Sequence, residues 1–168
     1  PRFLSFLNRQ HDFLERVPEE FISQVLPAGK VAPNLAKQGI QAQRIVGPEG
    51  TMTLFNMDDP VVGGYTPEKV ALRRAIGLAI DIEGEIRLVR RGQAVPSQSP
   101  VVPHTTGYDP AFKSEMGDYS PTRARALLDL FGYKDRDGDG FRELPDGSPL
   151  VLVRGTHPVQ FQRKLDEQ

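Results

Sequence analysis

Residues 66–80 constrain this chain more than any other stretch. Thr66 reads as an N-cap and Pro67 sits at the first helical position, where a missing N–H costs nothing. Leu72, Ala75, Ile76, Ala79 and Ile80 then recur at i, i+3, i+4, i+7 and i+8, the stripe of an amphipathic helix. Burying it is favourable by ~25 cal/mol per Å² of apolar area, but only against a second element. A helix from Asp81 or Ile82 to Arg91 follows, presenting Ile82, Ile86 and Val89, with Glu83 and Arg87 as an i,i+4 pair and Gly92 as its stop. Ser120 and Pro121 open another, carrying Ala124, Leu127, Leu128 and Phe131 and ending at Gly132. None of these blocks holds a reactive group. They are scaffold, so function has to be read from which scaffold they build.

The remaining patterns predict a mixture of helices and strands. Phe3, Leu4 and Leu7 suggest the end of a helix, and residues 11–17 a short strand. Pro18, Glu19 and Glu20 introduce the stripe Phe21, Ile22, Val25 and Leu26, stopped by Pro27 and Gly29. Residues 34–38 make a helical turn closed by Gly39. Residues 41–57 alternate unevenly and read as two strands joined at residues 47–50, with 51–56 the better one. Residues 58–65 are a loop, and residues 150–153 (Leu-Val-Leu-Val) a short buried-type strand. A loop as long as residues 93–118, with Pro96, Pro100, Pro103 and Pro110, usually has a task, such as wrapping a neighbouring lobe. The expected class is α/β, a mixed sheet flanked by helices, in one domain over residues 1–168.

Composition narrows the function classes. A 38% hydrophobic and 26% charged chain of 168 residues fits a globular domain with one core. The formal charge of −1 argues against nucleic acid as an obligate partner, since phosphate binding leaves a basic footprint. Arg87, Arg90 and Arg91 do gather, but Glu83 and Glu85 beside them mark a solvated helix face. Zero cysteine excludes disulfides and thiolate metal sites. The chain opens on Pro1-Arg2-Phe3 with no initiating Met, and residues 161–168 stop without a cap, so a piece cut from a longer protein is expected.

The sharpest chemical pattern is Asp135-x-Asp137-x-Asp139-Gly140-Phe141-x-Glu143-x-x-Asp146. Oxygen donors fall at positions 1, 3, 5, 7 (the backbone of Phe141), 9 and 12, with glycine at 6, the spacing by which a short loop wraps calcium. Position 12 is Asp rather than the longer Glu, and Pro145 blocks the usual exiting helix. The competing reading, a Gly/Asp-rich turn leading through Pro145, Asp146 and Gly147 into residues 150–153, is favoured by both departures. His11, His104 and His157 are dispersed and lack zinc-type spacing. Asp58 and Asp59 precede Pro60 as turn initiators do, rather than forming an acid/base pair. No nucleophile motif or phosphate-cradling loop is present, which disfavours an enzyme. Asn56, and Met57 after it, end an apolar stretch before the best helix. Asn56 therefore either faces a ligand cleft, with Met57 beside it, or caps the loop that follows, and the cap is the favoured reading.

The order of these blocks resembles the family 5 extracellular solute-binding proteins, the peptide- and nickel-type receptors of bacterial ABC importers. The resemblance rests on residues 7–14, similar to the family's helix-to-strand step; on Phe55-Asn56-Met57, similar to its "F-N" strand end; and on residues 70–81. It continues through Gly92-Gln93-Ala94, Gly107-Tyr108-Asp109-Pro110, Ala124 to Leu128, Gly132-Tyr133 and the Asp-Gly-Asp-Gly turn, covering about residues 4–156. The family often has glycine where this chain has Gln10 or His11, and residues 57–65 make a longer loop. The resemblance implies part of a type II periplasmic-binding-protein-like fold: most of the second lobe of a two-lobed receptor in the bacterial envelope. Such a receptor would close on an oligopeptide or another small solute together with a missing first lobe, and deliver it to a membrane permease. It implies no covalent chemistry and no obligate cofactor, and the longer loop at residues 57–65 departs from the family at the candidate ligand contacts Asn56 and Met57. The acidic group that pairs with a peptide amino terminus would lie beyond residue 168. Two other classes compete: a calcium-stabilised extracellular interaction module, and a hydrolase domain.

Overall fold

Proline opens the helices that begin at Pro33, Pro67 and Pro121, and left-handed glycines, Gly92 and Gly132, follow those that end at Leu88 and Leu130. The computed structural model describes residues 2–115, 117–158 and 160–167. Its α-helices are α1 (Arg2–Leu7), α2 (Ile22–Val25), α3 (Pro33–Ala36), α4 (Pro67–Ala79), α5 (Ile82–Leu88), α6 (Pro121–Leu130) and α7 (Gln160–Asp166). Short 3₁₀ turns at Glu19–Phe21 and Pro27–Gly29 flank α2. The chain divides into two units, Pro1–Val46 with Gly84–Val95, and Gly47–Glu83 with Pro96–Gln168.

In the first unit, Phe3, Val25, Ala32 and Leu35 form the buried centre, packed by Leu7, Leu14, Val17, Phe21, Leu26, Val31 and Ile40. The Phe3 and Phe21 rings stack with centroids 4.6 Å apart, which draws α1 onto the turn before α2. The Ala32 N–H donates to Val25 O at 2.8 Å, closing the connection from α2 to α3. Further along, α5 stops earlier than the sequence predicts. Arg91 and Gly92 adopt left-handed φ of 49° and 72°, and the Gly92 N–H donates back to Ile86 O at 2.8 Å. Arg90 folds over Glu85 at 2.6 Å.

The second unit is organised by α4 against α6. Ala71, Leu72, Ala75 and Leu78 are buried on α4, and Ala124 on α6, with Leu127 and Leu128 packed alongside. Small residues at Ala75 and Ala124 let the helices approach, which shifts the buried stripe: Leu78 is covered, whereas Ala79 is exposed. The Ser120 N–H donates to Leu78 O at 2.8 Å, so the start of α6 is tied to the end of α4, and Ser120 Oγ caps α6 by accepting from Arg123 N at 3.4 Å. Tyr133, 1% exposed, donates its hydroxyl to Glu68 O at 3.1 Å. Burial, with the Glu68 charge second, pushes its pKa up, and Arg73 opposes the shift.

The expected α/β architecture is not formed. The chain is 34% helical and 1% strand, and among the described residues the sole ladder contact outside named strands is the bridge between Glu143 and Pro149. The mixed sheet, and with it the type II binding-protein lobe built around one, is therefore overturned. The segments read as strands at residues 11–17, 41–57 and 150–153 are irregular, and they leave Ile45, Leu54 and Val153 76%, 80% and 90% exposed. The physical reason is non-locality. A strand's N–H and C=O groups need a neighbouring strand, and among the described residues none of these segments is paired in a ladder.

Candidate functional site

Asn56 and Met57 sit at the head of a tightly wound turn that leads into α4. Asn56 Oδ1 accepts from Asp58 N at 3.1 Å, so this exposed amide caps the turn. Asp59 Oδ1 accepts from Val61 N at 2.8 Å and Val62 N at 2.9 Å. Those two amides, Val62 first, hold the Asp59 carboxyl below its ordinary pKa, with Lys69 adding to the effect and desolvation opposing it. Met57 contributes its carbonyl, which accepts from Gly64 N at 3.0 Å. Gly63 passes so close that a Cβ there would lie 2.3 Å from Met57 O and 2.5 Å from Asp59 O, so no other residue fits. Arg73 of α4 donates from Nη1 to Val62 O at 2.5 Å and Gly64 O at 2.9 Å, and Lys69 Nζ donates to Pro60 O at 2.7 Å. The loop is thereby clamped to the helix, with the Asp59 carboxylate absorbed into turn chemistry.

The acidic loop after α6 gathers four of the five carboxylates in the predicted pattern. Carboxylate oxygens of Asp135, Asp137, Asp139 and Glu143 all lie within 4.8 Å of one another. Asp146 stands apart and accepts from Ser148 N at 2.9 Å and Ser148 Oγ at 2.6 Å, contacts that lower its pKa, hydroxyl first. Phe141 is exposed, and its N–H donates to Asp139 Oδ1 at 2.8 Å. The loop also satisfies its own backbone: Asp135 accepts from Gly138 N at 2.7 Å and Gly140 N at 3.0 Å, and Asp137 from Asp139 N at 3.2 Å.

Arg136 offsets part of the clustered charge, and Arg142 ties the loop to α6 through Asp129. Arg136 lies 3.9 Å from Glu143, which also accepts from Arg136 N at 2.8 Å. The Arg136 guanidinium donates to Leu144 O at 2.9 Å, Gly132 O at 3.0 Å and Pro145 O at 3.2 Å, stapling the loop to the end of α6. Arg142 pairs with Asp129 at 2.6 Å and donates to Tyr133 O. Against four converging carboxylates, a hard cation would supply further neutralisation at Asp135, Asp137 and Asp139, with Glu143 already shared with Arg136.

Each unit carries an open cleft. In the second unit a cleft of about 480 Å³ is lined by Arg125, Asp129, Lys134, Asp135, Gly140 and Arg142, continuous with the acidic loop. In the first unit a cleft of about 570 Å³ has Ile22, Ser23 and Leu26 on one side and Arg44, Arg91 and Gln93 among its other residues. Arg44 Nη2 donates to Gly92 O at 2.6 Å.

The sequence patterns singled out neither Arg44 nor the clamping roles of Arg73 and Arg136, because each acts on carbonyls set by loop geometry. Gly63 carried a readable signal as the first of two glycines before a helix. His11, His104 and His157 are all exposed and take no part in the carboxylate group. No helix among the described residues is long and apolar enough to cross a membrane.

A family model described as bacterial extracellular solute-binding proteins, family 5, middle, matches residues 2–162. The chain belongs to that family. No curated protein and no solved structure matches it. The family supports a solute-binding role in transport and is generally non-enzymatic.

Proposed function

We propose that this chain is part of the substrate-binding component of an ABC importer, acting outside the cytoplasmic membrane to hold an oligopeptide or a related small solute. The match over residues 2–162 carries this reading. The geometry is compatible with it: both clefts are open, and the polar groups around Asn56, Asp59 and Asp146 are engaged in turns rather than poised for proton transfer. A receptor of this kind works by differential contact. Solute bound by this chain and by the rest of the receptor favours a closed state that the permease recognises. Since each ~1.4 kcal/mol is tenfold in affinity, a chain offering part of those contacts binds weakly by itself. Mass spectrometry of small molecules recovered with the full receptor tests this. An unmodified solute that returns on rebinding supports it, whereas a solute turned over into product contradicts it.

A second reading, a calcium-stabilised module, draws on the convergence of Asp135, Asp137, Asp139 and Glu143 within 4.8 Å. It requires a melting temperature that rises with calcium and falls with chelator, and a response abolished by Asp137→Ala. An unchanged melting temperature leaves the loop as a turn held by Arg136 and Arg142.

A further inference from the structure

We infer that the first unit's cleft is a subsite for a small organic anion, a carboxylate carrying a short apolar arm. This rests on the solute-binding reading and specifies the chemistry of one end of the solute. None of the residues lining this cleft is acidic. Neither Arg44 nor Arg91 has a carboxylate partner among the described residues, whereas the adjacent Arg90 is paired with Glu85. Arg44 is also positioned: its bond to Gly92 O fixes one edge of the guanidinium and leaves the remaining N–H groups for another acceptor. A planar fork of this kind matches a carboxylate in bidentate fashion.

The backbone adds a separate observation. Ala28 and Arg91, both lining the cleft, hold left-handed φ of 51° and 49° although neither is glycine. Such conformations persist where the surroundings over-determine them, and they concentrate at binding sites. At Arg91 the left-handed turn ends α5, so its side chain lines the cleft instead of continuing the Glu85–Arg90 face. Ile22 and Leu26, with Pro27, supply an apolar wall, and Ser23 and Gln93 add neutral hydrogen-bonding groups. The apolar wall distinguishes an organic carboxylate from free phosphate, which has nothing to lay against it.

The test is a titration of the isotopically labelled chain, followed by ¹H–¹⁵N correlation spectra, with N-acetylleucine, N-acetylleucine amide and inorganic phosphate as probes. The acid is expected to shift the amides of Ser23, Arg44, Arg91 and Gln93, binding at least tenfold more tightly than the amide or phosphate. Arg91→Gln, which leaves the Arg44–Gly92 contact in place, is expected to weaken the acid at least fivefold. Arg44→Lys, keeping the charge but losing the fork, should weaken it less than Arg91→Gln does. Equal binding of acid and amide overturns the anion subsite, equal binding of acid and phosphate overturns the apolar arm, and shifts confined to other residues overturn the location. Any of these results together with an uncharged solute recovered from the full receptor would remove the subsite and leave the solute-binding role standing. An acid that binds here while the full receptor turns its solute into product would remove the receptor reading instead.

Discussion

Two parts of the second unit behave in opposite ways. The α4–α6 pair buries Leu72 to 1% exposure and locks Tyr133 against the first turn of α4, whereas residues 51–56 and 150–153, equally apolar in sequence, stay irregular and largely exposed. The difference lies in where each backbone finds its hydrogen bonds. A helix satisfies its amides four residues away and then needs one apolar face covered. An extended segment has to find its whole ladder elsewhere in the chain. Stability in this unit is therefore concentrated in the helix pair and in the loops tied to it by Arg73, Arg136 and Ser120.

The widest gap between the two parts should come from truncating each. Leu72→Ala is expected to cost ~2–5 kcal/mol in urea denaturation, the range for a fully buried leucine. Val153→Ala should stay within about 0.5 kcal/mol, as surface changes do. Comparable losses at both positions would break the contrast. Next is Gly63→Ala, whose added Cβ meets two backbone carbonyls that cannot retreat while Arg73 and Lys69 hold the loop. It is expected to cost ~1–3 kcal/mol, measured in the same way. Tyr133→Phe removes one hydrogen bond and keeps the ring, so a loss of about 0.5–1.5 kcal/mol is expected.

The smallest effect is in pH. The folded pKa of Asp59 lies below its ordinary 3.8, so its contribution is fully present above that value and is lost as pH falls through the folded value. Asp59→Asn should remove that acid-side slope from stability measured against pH.

The same contrast explains what could be read from residues alone. Pro67, Pro121 and Gly132 mark helix ends by local sterics, and α4 and α6 lie where those signals put them. The phase of the α4 stripe slipped, with Leu78 buried in place of Ala79, because the contact with Ala124 selects the face and this contact is not local. Uneven alternation at residues 41–57 and an apolar run at 150–153 carried strand signals without the partner that makes a strand. At the candidate sites the residue types were legible and their employment was not. Asn56 could cap or contact, and its amide turned to Asp58 N. Four of the acidic loop's donors converge, while Asp146 is drawn off by Ser148. Arg44 gave no signal, since its neighbour Gly92 is 48 residues away.

Hydrogen–deuterium exchange on the intact chain tests the central contrast most directly. The account expects slow exchange across the interior amides of α4 and α6, and exchange near the unprotected rate across residues 51–56 and 150–153. Protection of those two segments matching that of the helices would contradict it.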